Sequence, residues 1–189
     1  DSLKLPKGLK SIEGGAFADC KGFTGELAIP DSVTTIGKGA FSDCTGFTGD
    51  LIIPGSLTKV GYHAFENCNG FTGKLVISDG VDEIGVSTFE NCNGFKGKLV
   101  LADSVTKIGD YAFKDCSGFT GNLILPDSMT KIGDSAFKDC TGFTGELNIP
   151  DGVTTLYFTF SGCTGFEGKL AIPDSVTALV GTFSGCSGL

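Results

Sequence analysis

The 189-residue chain has no tryptophan and one histidine, His63, and its 14 lysine and arginine residues form no basic block. A single histidine excludes histidine-rich metal sites and limits histidine-dependent catalysis. The formal net charge of −8 disfavours nucleic acids and anionic membranes as partners, because both attract clustered positive charge. No run of 18 apolar residues is present, so we expect no membrane insertion by this segment.

Motifs for secretion, catalysis and cofactor binding are also absent. The first residues, DSLKLPKG, lack the charged and apolar regions of a signal peptide. They already match part of a repeat, so we expect that a leader was removed or that the chain is a fragment of a longer protein. No nucleophile elbow, paired-carboxylate motif, phosphate loop or C-x-x-C is found. The sequence therefore predicts a non-enzymatic protein without a metal or cofactor.

The dominant feature that is present is a repeat marked by cysteine. The spacing between successive cysteines is 24 residues five times and then 23 residues twice. Periods of 20–50 residues are typical of solenoids, in which each unit stacks on its neighbours. We interpret 1–189 as one domain with seven full repeats (20–185), a partial N-terminal repeat (1–19) and a C-terminal stub (186–189). The cysteines are Cys20, Cys44, Cys68, Cys92, Cys116, Cys140, Cys163 and Cys186.

The pattern within one repeat predicts its local structure. Alternation of Leu27 and Ile29 before Pro30 indicates a short strand with one buried face. The spacing of Ala40, Phe41 and Cys44 is typical of a single helical turn. Stacking strands about 4.8 Å apart gives a right-handed coil about 35 Å long. The predicted inward set is Phe23, Leu27, Ile29, Val33, Ile36, Ala40, Phe41 and Cys44, with Val33 and Ile36 assigned to a turn.

Two departures from the pattern concern particular repeats. The repeats that begin at 68 and 92 have Ser78 and Ala102 where the others have proline. The last two full repeats lose one residue before the phenylalanine and read LYFTFSGC and LVGTFSGC. We expect the local geometry to change at 156–160 and 179–183.

The phrase L-x-IP-D-S-V-T-x-IG-x-x-AF-x-x-C, present at 27–44 and 123–140, resembles the BspA-like, or Treponema-type, leucine-rich repeats. The resemblance covers 3–186. It implies an α/β solenoid, a right-handed leucine-rich-repeat arc with a concave parallel β-sheet and short helical turns on the outer side. It also implies bacterial or protist proteins of the cell surface or extracellular space, many of them adhesins for host or matrix proteins.

The cysteine ladder has three interpretations. In-register cysteines on adjacent coils would have Cβ atoms about 4.8 Å apart, whereas a disulfide needs about 3.5–4.5 Å. Stacked, free, buried thiols are therefore favoured, with disulfides and a metal site as the alternatives. A ladder of Asp and Asn before the cysteines could similarly indicate calcium or local turn hydrogen bonds. We favour the turn interpretation, and we expect His63 to be a solvated surface residue.

Positions that differ between repeats are the candidates for function. One group is an aliphatic line on the outward face of the strand, which marks a binding site or gives lateral support within a sheet. The other is an aromatic group between the Ile-Gly and Ala-Phe segments, of the kind enriched in interfaces, with partial burial as the alternative. We expect the three tyrosines to be more than one-third exposed on a common side. The candidates are Ile52, Val76, Val100 and Ile124 in the first group and Tyr62, Tyr111, Tyr157 and Phe158 in the second.

These observations favour a non-enzymatic extracellular recognition or adhesion module that binds a protein or glycan through its solenoid surface. The alternative is a passive spacer in a larger cell-surface protein. Open ends of a solenoid expose unpaired strand edges, so we expect a monomer or weak end-to-end association.

Overall fold

Each repeat forms one coil of a solenoid, and the computed structural model describes all residues, Asp1–Leu189. A single cluster of 48 buried residues runs through the stacked coils. Phenylalanine rings form two columns in it; Phe41 stacks on Phe65 with 5.2 Å between ring centroids, and Phe47 stacks on Phe71 at 5.9 Å. The predicted inward set is confirmed, although Phe23, in the first repeat, is only half-buried.

The strands are two or three residues long and pair in parallel from coil to coil. One sheet has six strands in the order β1-β2-β4-β6-β8-β9, a second has β3-β5-β7 and a third has β10-β11. The strands are β1 Ser11–Ile12, β2 Thr35–Ile36, β3 Leu51–Ile53, β4 Lys59–Val60, β5 Leu75–Ile77, β6 Glu83–Ile84, β7 Leu99–Leu101, β8 Lys107–Ile108, β9 Lys131–Ile132, β10 Thr155–Tyr157 and β11 Ala178–Val180.

The largest sheet lies where the sequence predicted a turn. Val33 and Ile36 are both buried, as expected, but Ile36 belongs to β2 and pairs with Ile12 on one side and Val60 on the other. A separation of three residues fits a turn and a two-residue strand equally well. The partner coil, 24 residues away, decides between them.

The predicted helical turns are wrong, because the segment with the Ala-Phe motif contains no helix. The N–H groups of Gly39 and Phe41 donate to carbonyls of the next coil, at Tyr62 (2.9 Å) and Ala64 (2.8 Å), instead of to their own coil. Alternate residues form i→i+3 bonds, as from Ala40 N–H to the Gly37 carbonyl (3.3 Å). Two positions per turn also have positive φ, such as 62° at Gly39. No element is a helix with the length and hydrophobicity needed to cross a membrane.

Proline determines where the three-stranded sheet forms. Ser78 N–H donates to the Ile53 carbonyl and Ala102 N–H to the Ile77 carbonyl, both at 3.1 Å. The other repeats have proline here, as at Pro126, and proline has no N–H to donate. The strand predicted near Leu27 and Ile29 is therefore not assigned, although its alternation of buried and exposed residues is as predicted. The departures at 78 and 102 thus permit the pairing of β3, β5 and β7.

The shortened repeats at the C-terminal side have a defined geometry. They lack the residue that corresponds to Gly133, and their strands β10 and β11 are three residues long where β8 and β9 have two. Thr159 and Thr182 replace the alanine of the Ala-Phe motif and are buried. The missing residue is accommodated as a longer strand, without interruption of the core.

Candidate binding surfaces

The predicted aliphatic line is a continuous stripe, here called the aliphatic stripe and made of Ile52, Val76, Val100 and Ile124. Ile52 pairs with Val76 and Val76 with Val100 across β3, β5 and β7. The exposed fractions are 52% for Ile52, 41% for Val100 and 72% for Ile124, while Val76 is half-buried. Three large aliphatic side chains therefore face solvent on one side of the molecule.

Two clefts lie along the aliphatic stripe where adjacent coils lack strand pairing, one before Ile52 and one between Val100 and Ile124. The cleft before β3 has a volume of ≈ 380 Å³, and the cleft after β7 has ≈ 370 Å³. The lining includes Glu26, Ala28, Asp31, Asp50 and Ile52 in the first and Lys98, Val100, Asn122 and Ile124 in the second. Both ends of the stripe are therefore bordered by acidic side chains, since Asp127 and Glu146 line a further cleft beyond Ile124. The lysine and the amide lie between Val100 and Ile124.

The aromatic candidates are less uniform than predicted. Tyr62 is 44% exposed, Tyr111 42% and Phe158 46%, but Tyr157 is half-buried as part of β10. Tyr111 and Phe158 have φ of 57° and 52°, a conformation that is unusual for large side chains. These two occupy one ladder of the turn, and Tyr62 and Tyr157 occupy the ladder before it. The structure therefore does not bring the four together in one cluster.

Two of these aromatic rings lean onto glycines of the following coil. A Cβ atom on Gly85 would lie 2.7 Å from Cδ1 of Tyr62, and Gly181 lies beneath the ring of Phe158. Each exposed tyrosine also has a cation near its ring, with Lys59 Nζ 4.7 Å from the centroid of Tyr62 and Lys114 Nζ 6.0 Å from that of Tyr111. Tyr62 therefore has a defined position along the solenoid.

The cysteines form a ladder of free thiols, seven of them buried. The Sγ of Cys68 donates to the carbonyl of Phe41, 3.0 Å away in the preceding coil, and the same contact recurs along the ladder. Burial raises the pKa of Cys44 to about 11 and that of Cys163 to about 12, and raises the pKa of Cys116 well above its usual value. Because the thiolate is the reactive form, the ladder is structural.

The Asp and Asn ladder stabilises a tight turn. Asp43 and Asn67 both have φ of 60°, which these residues tolerate better than most. Asn67 Nδ2 donates to Asp43 Oδ1 at 3.1 Å, and Asn91 Nδ2 donates to Asn67 Oδ1 at 2.9 Å. The structure contains no group of three or more His, Cys, Asp or Glu side chains placed to hold a metal ion. His63, which we expected to be solvated, is half-buried, with Nδ1 3.1 Å from Glu66 Oε2.

Sequence reasoning missed one feature of the six-stranded sheet. The outward position of its strands carries Lys59 in β4, Glu83 in β6, Lys107 in β8 and Lys131 in β9. These residues recur every 24 positions, so the period itself contains the signal. The turn predicted for this segment has no fixed neighbours on its outward face, so that interpretation does not place these charges in one line.

Comparison with known proteins identifies the repeat. The profile of the BspA type leucine rich repeat region matches residues 1–120 and 120–189, with six copies. No curated protein matches the sequence.

Solved structures of leucine-rich repeat proteins are similar along the whole chain. A leucine-rich repeat protein from Bacteroides ovatus ATCC 8483 has 29% sequence identity and a TM-score of 0.79, covering 100% of this chain and 47% of that chain. The Treponema pallidum leucine rich repeat protein has 27% identity and a TM-score of 0.73, covering 100% of this chain and 81% of that chain. The chain thus spans just under half the length of the Bacteroides ovatus protein. Together with the profile match, these similarities show that the chain belongs to the BspA type leucine-rich repeat family.

Proposed function

We propose that this chain is a non-enzymatic, extracellular recognition module whose aliphatic stripe contacts a partner protein. Its fold is that of a leucine-rich-repeat scaffold, which serves in protein interaction or as a structural element. The observation that carries the proposal is the exposure of Ile124, at 72%, beside Val100 and Ile52 on one face. Contiguous exposed apolar surface marks interaction sites.

The fold does not require aliphatic residues at these positions. The same ladder position is Ala28, Asn148 and Ala171 in other repeats, so the coil accepts small and polar side chains there. Lateral support between β-branched neighbours accounts for Val76, which lies between two strands. It does not account for Ile124, which belongs to no strand.

A binding screen against purified extracellular-matrix proteins and a glycan panel tests this proposal. Ile124→Asn introduces the residue that another repeat has at position 148, so it changes the stripe but not the coil. Removing a buried isoleucine from an interface costs about 1.5–3 kcal/mol, so Kd should rise about tenfold or more. Ala171→Asn, which introduces the same residue on the same face two coils beyond Ile124, is the matched control and should leave Kd unchanged.

The aromatic group is a second candidate contact surface within the same function. Tyr62 and Tyr111 are exposed and each has a cation near its ring, a combination suited to anchoring a partner. Replacing both with serine should reduce saturable binding if Tyr62 and Tyr111 contribute to it. Tyr157 and Phe158 remain candidates at the equivalent positions of a coil further along the solenoid.

A passive spacer is the alternative function, and the continuity of the core favours it. Stacked phenylalanine columns extend through every full repeat, as in Phe137 on Phe160 at 5.7 Å, so the coils form a stiff element that can carry another domain. Absence of binding by the folded chain to any protein or glycan, with an unchanged circular dichroism spectrum, would support the spacer and contradict recognition.

We also propose that the chain is displayed outside the cell and is a monomer or associates weakly end to end. Loss of the protein from intact cells treated with an external protease tests the location. Sedimentation over a range of concentrations tests the association.

A further inference from the structure

A small cleft lies on the outward face of the six-stranded sheet, and none of the residues of the aliphatic stripe line it. Its volume is ≈ 130 Å³, and its walls include the ring of Tyr62 and the side chains of Glu83, Val86, Lys107, Asp110 and Lys131. The cleft is too small to enclose a drug-sized ligand, which needs about 300 Å³ or more. It has room for one charged group at the end of a larger ligand.

The cleft and its border hold three lysines, Lys59, Lys107 and Lys131, and two carboxylates, Glu83 and Asp110, which leaves an excess of one positive charge. Lys107 and Lys131 are in-register neighbours on β8 and β9, both exposed, and neither has a carboxylate within 4.0 Å. Glu83 is paired with a lysine, whereas Asp110 keeps its negative charge and is held by a backbone N–H. Glu83 Oε1 accepts from Lys59 Nζ at 2.6 Å, and Asp110 Oδ1 accepts from the N–H of Asp134 at 3.0 Å.

Neither lysine is needed by the fold. The same ladder position holds Ser11, Thr35, Thr155 and Ala178 in other coils, so the sheet forms with small, uncharged side chains there. Like charges on directly neighbouring strand positions destabilise a sheet. Lys107 has Glu83 as its other in-register neighbour, but Glu83 is bonded to Lys59, so a bound carboxylate would further reduce the repulsion between Lys107 and Lys131.

Tyr62 gives the cleft an apolar wall with a fixed position. Its ring leans along the solenoid axis over Gly85, and Lys59 Nζ lies 4.7 Å from its centroid. The ring is 44% exposed, and Val86 lies beside it in the cleft. An apolar wall next to two unpaired ammonium groups suits a ligand that combines an acidic group with a compact, partly apolar body.

We infer that this cleft binds the carboxylate-bearing sugar at the end of a glycan, with the carboxylate between Lys107 and Lys131 and the sugar ring against Tyr62. A polyanion is disfavoured because the chain as a whole has a charge of −8. One anionic group would meet the two lysines, but the protein would repel the others. An acidic peptide is disfavoured because Lys107 and Ile108 in β8 already pair on both sides, so this face offers no strand edge for the main-chain bonds of peptide recognition.

The inference rests on the proposed recognition function but not on the aliphatic stripe, so the two can fail separately. The test is a ¹H–¹⁵N chemical-shift titration of the full 189-residue chain with sodium glucuronate and with N-acetylneuraminate. Glucose, acetate and N-acetyl-glutamate amide are the comparison ligands. The variants are Lys107→Gln combined with Lys131→Gln, Tyr62→Ser, and Lys96→Gln as the matched control, an exposed lysine outside the cleft.

We expect at least one acidic sugar to shift the amides near Tyr62, Lys107 and Lys131, with glucose and acetate at least about tenfold weaker. Loss of both lysines should weaken this binding by about tenfold or more, and Tyr62→Ser should weaken it while Lys96→Gln leaves it unchanged. Equal binding by the double variant and Lys96→Gln would overturn the inference. So would equal binding of acetate, which indicates a nonspecific anion effect, or of the glutamate derivative, which indicates an acidic peptide.

A control for folding keeps the test decisive. The circular dichroism spectrum of each variant should match that of the parent chain, because Ser11 and Thr35 show that uncharged residues fit this ladder position. Titration of the Ile124→Asn variant, which affects only the aliphatic stripe, should give parental affinity for the acidic sugar. If Ile124→Asn does not weaken partner binding but the acidic sugar still binds between Lys107 and Lys131, only the proposal for the aliphatic stripe is contradicted.

Discussion

Gly22 and Gly94 occupy the same position in different coils. Because successive coils approach closely at only one of them, we predict that replacement by alanine changes stability in opposite directions at the two sites. A methyl group at Gly94 would lie 2.6 Å from the carbonyl oxygen of Phe71 and closer still to that of Asn69. At Gly22 the added carbon would meet nothing within 4 Å. Neither glycine has positive φ, so the contrast isolates packing from backbone conformation.

The magnitude for Gly94→Ala follows from the contacts that must open. The coil has to move away from the two carbonyls, which loosens the stacking of Phe71 on Phe95, now 5.3 Å between centroids. The bond from Gly97 N–H to the Gly73 carbonyl, at 3.0 Å, lies just beyond. Overpacking costs about 1–3 kcal/mol and each weakened hydrogen bond about 1 kcal/mol. We therefore expect a loss of about 2–4 kcal/mol in the free energy of unfolding.

Gly22→Ala should instead be neutral or stabilising by about 0.4–1 kcal/mol, because alanine restricts the unfolded chain. Urea titration followed by far-ultraviolet circular dichroism measures both variants, since the chain has no tryptophan for fluorescence. Midpoints for Gly94→Ala and Gly22→Ala within the equivalent of 1 kcal/mol of each other would refute the idea that carbonyl contact determines glycine in this ladder.

Three further predictions concern backbone donors, thiols and positive φ. Ala102→Pro removes the N–H that donates to Ile77; it should cost about 1 kcal/mol and speed amide hydrogen exchange in β5 and β7, whereas unchanged protection would contradict the role assigned to proline. Burial raises the pKa of Cys116, so its contribution to stability is complete below pH 9 and is lost as the pH rises towards the folded-state pKa. The free energy of unfolding should therefore fall above pH 9, and Cys116→Ala should reduce that slope by up to about 1.4 kcal/mol per pH unit; equal slopes would show that this thiol does not titrate on unfolding. Asn67 has φ of 60°, so Asn67→Val should lower the free energy of unfolding by about 1–2 kcal/mol. Asn67→Gly should lower it less, because glycine occupies the same ladder position at Gly162. Thermal unfolding of the two variants tests this, and equal losses would contradict it.

Much of the repeat architecture could be predicted from the sequence because identical positions in successive coils have the same surroundings. The 24-residue period identified the inward residues, and Leu27, Ile29, Phe41 and Cys44 are buried as expected. A spacing argument favoured free thiols over disulfides in the cysteine ladder, and the thiols are free. These features depend on residue type and on period, both of which are read directly from the chain.

Hydrogen-bond partners were not predictable in the same way, because most of them lie one coil away. Only 10 of the 92 backbone hydrogen bonds lie within the strands, so the local pattern says little about where each N–H donates. The spacing of Ala40, Phe41 and Cys44 fits a helical turn, yet Phe41 N–H donates to Ala64 in the next coil. Residue type also gave no warning of positive φ at Tyr111, where the turn and its partner coil impose the conformation.

The sequence by itself determined the solenoid, its repeating core and the family, since these follow from periodic burial. Only the tertiary structure decided that the turn around Ile36 is a strand, that proline limits the pairing of β3, β5 and β7, and that Tyr62 shares a cleft with Lys107 and Lys131. The physical reason is that strand pairing, the backbone hydrogen bond that proline prevents and the cleft each require groups from two or more coils. Residues far apart in the chain become neighbours only when the coils stack.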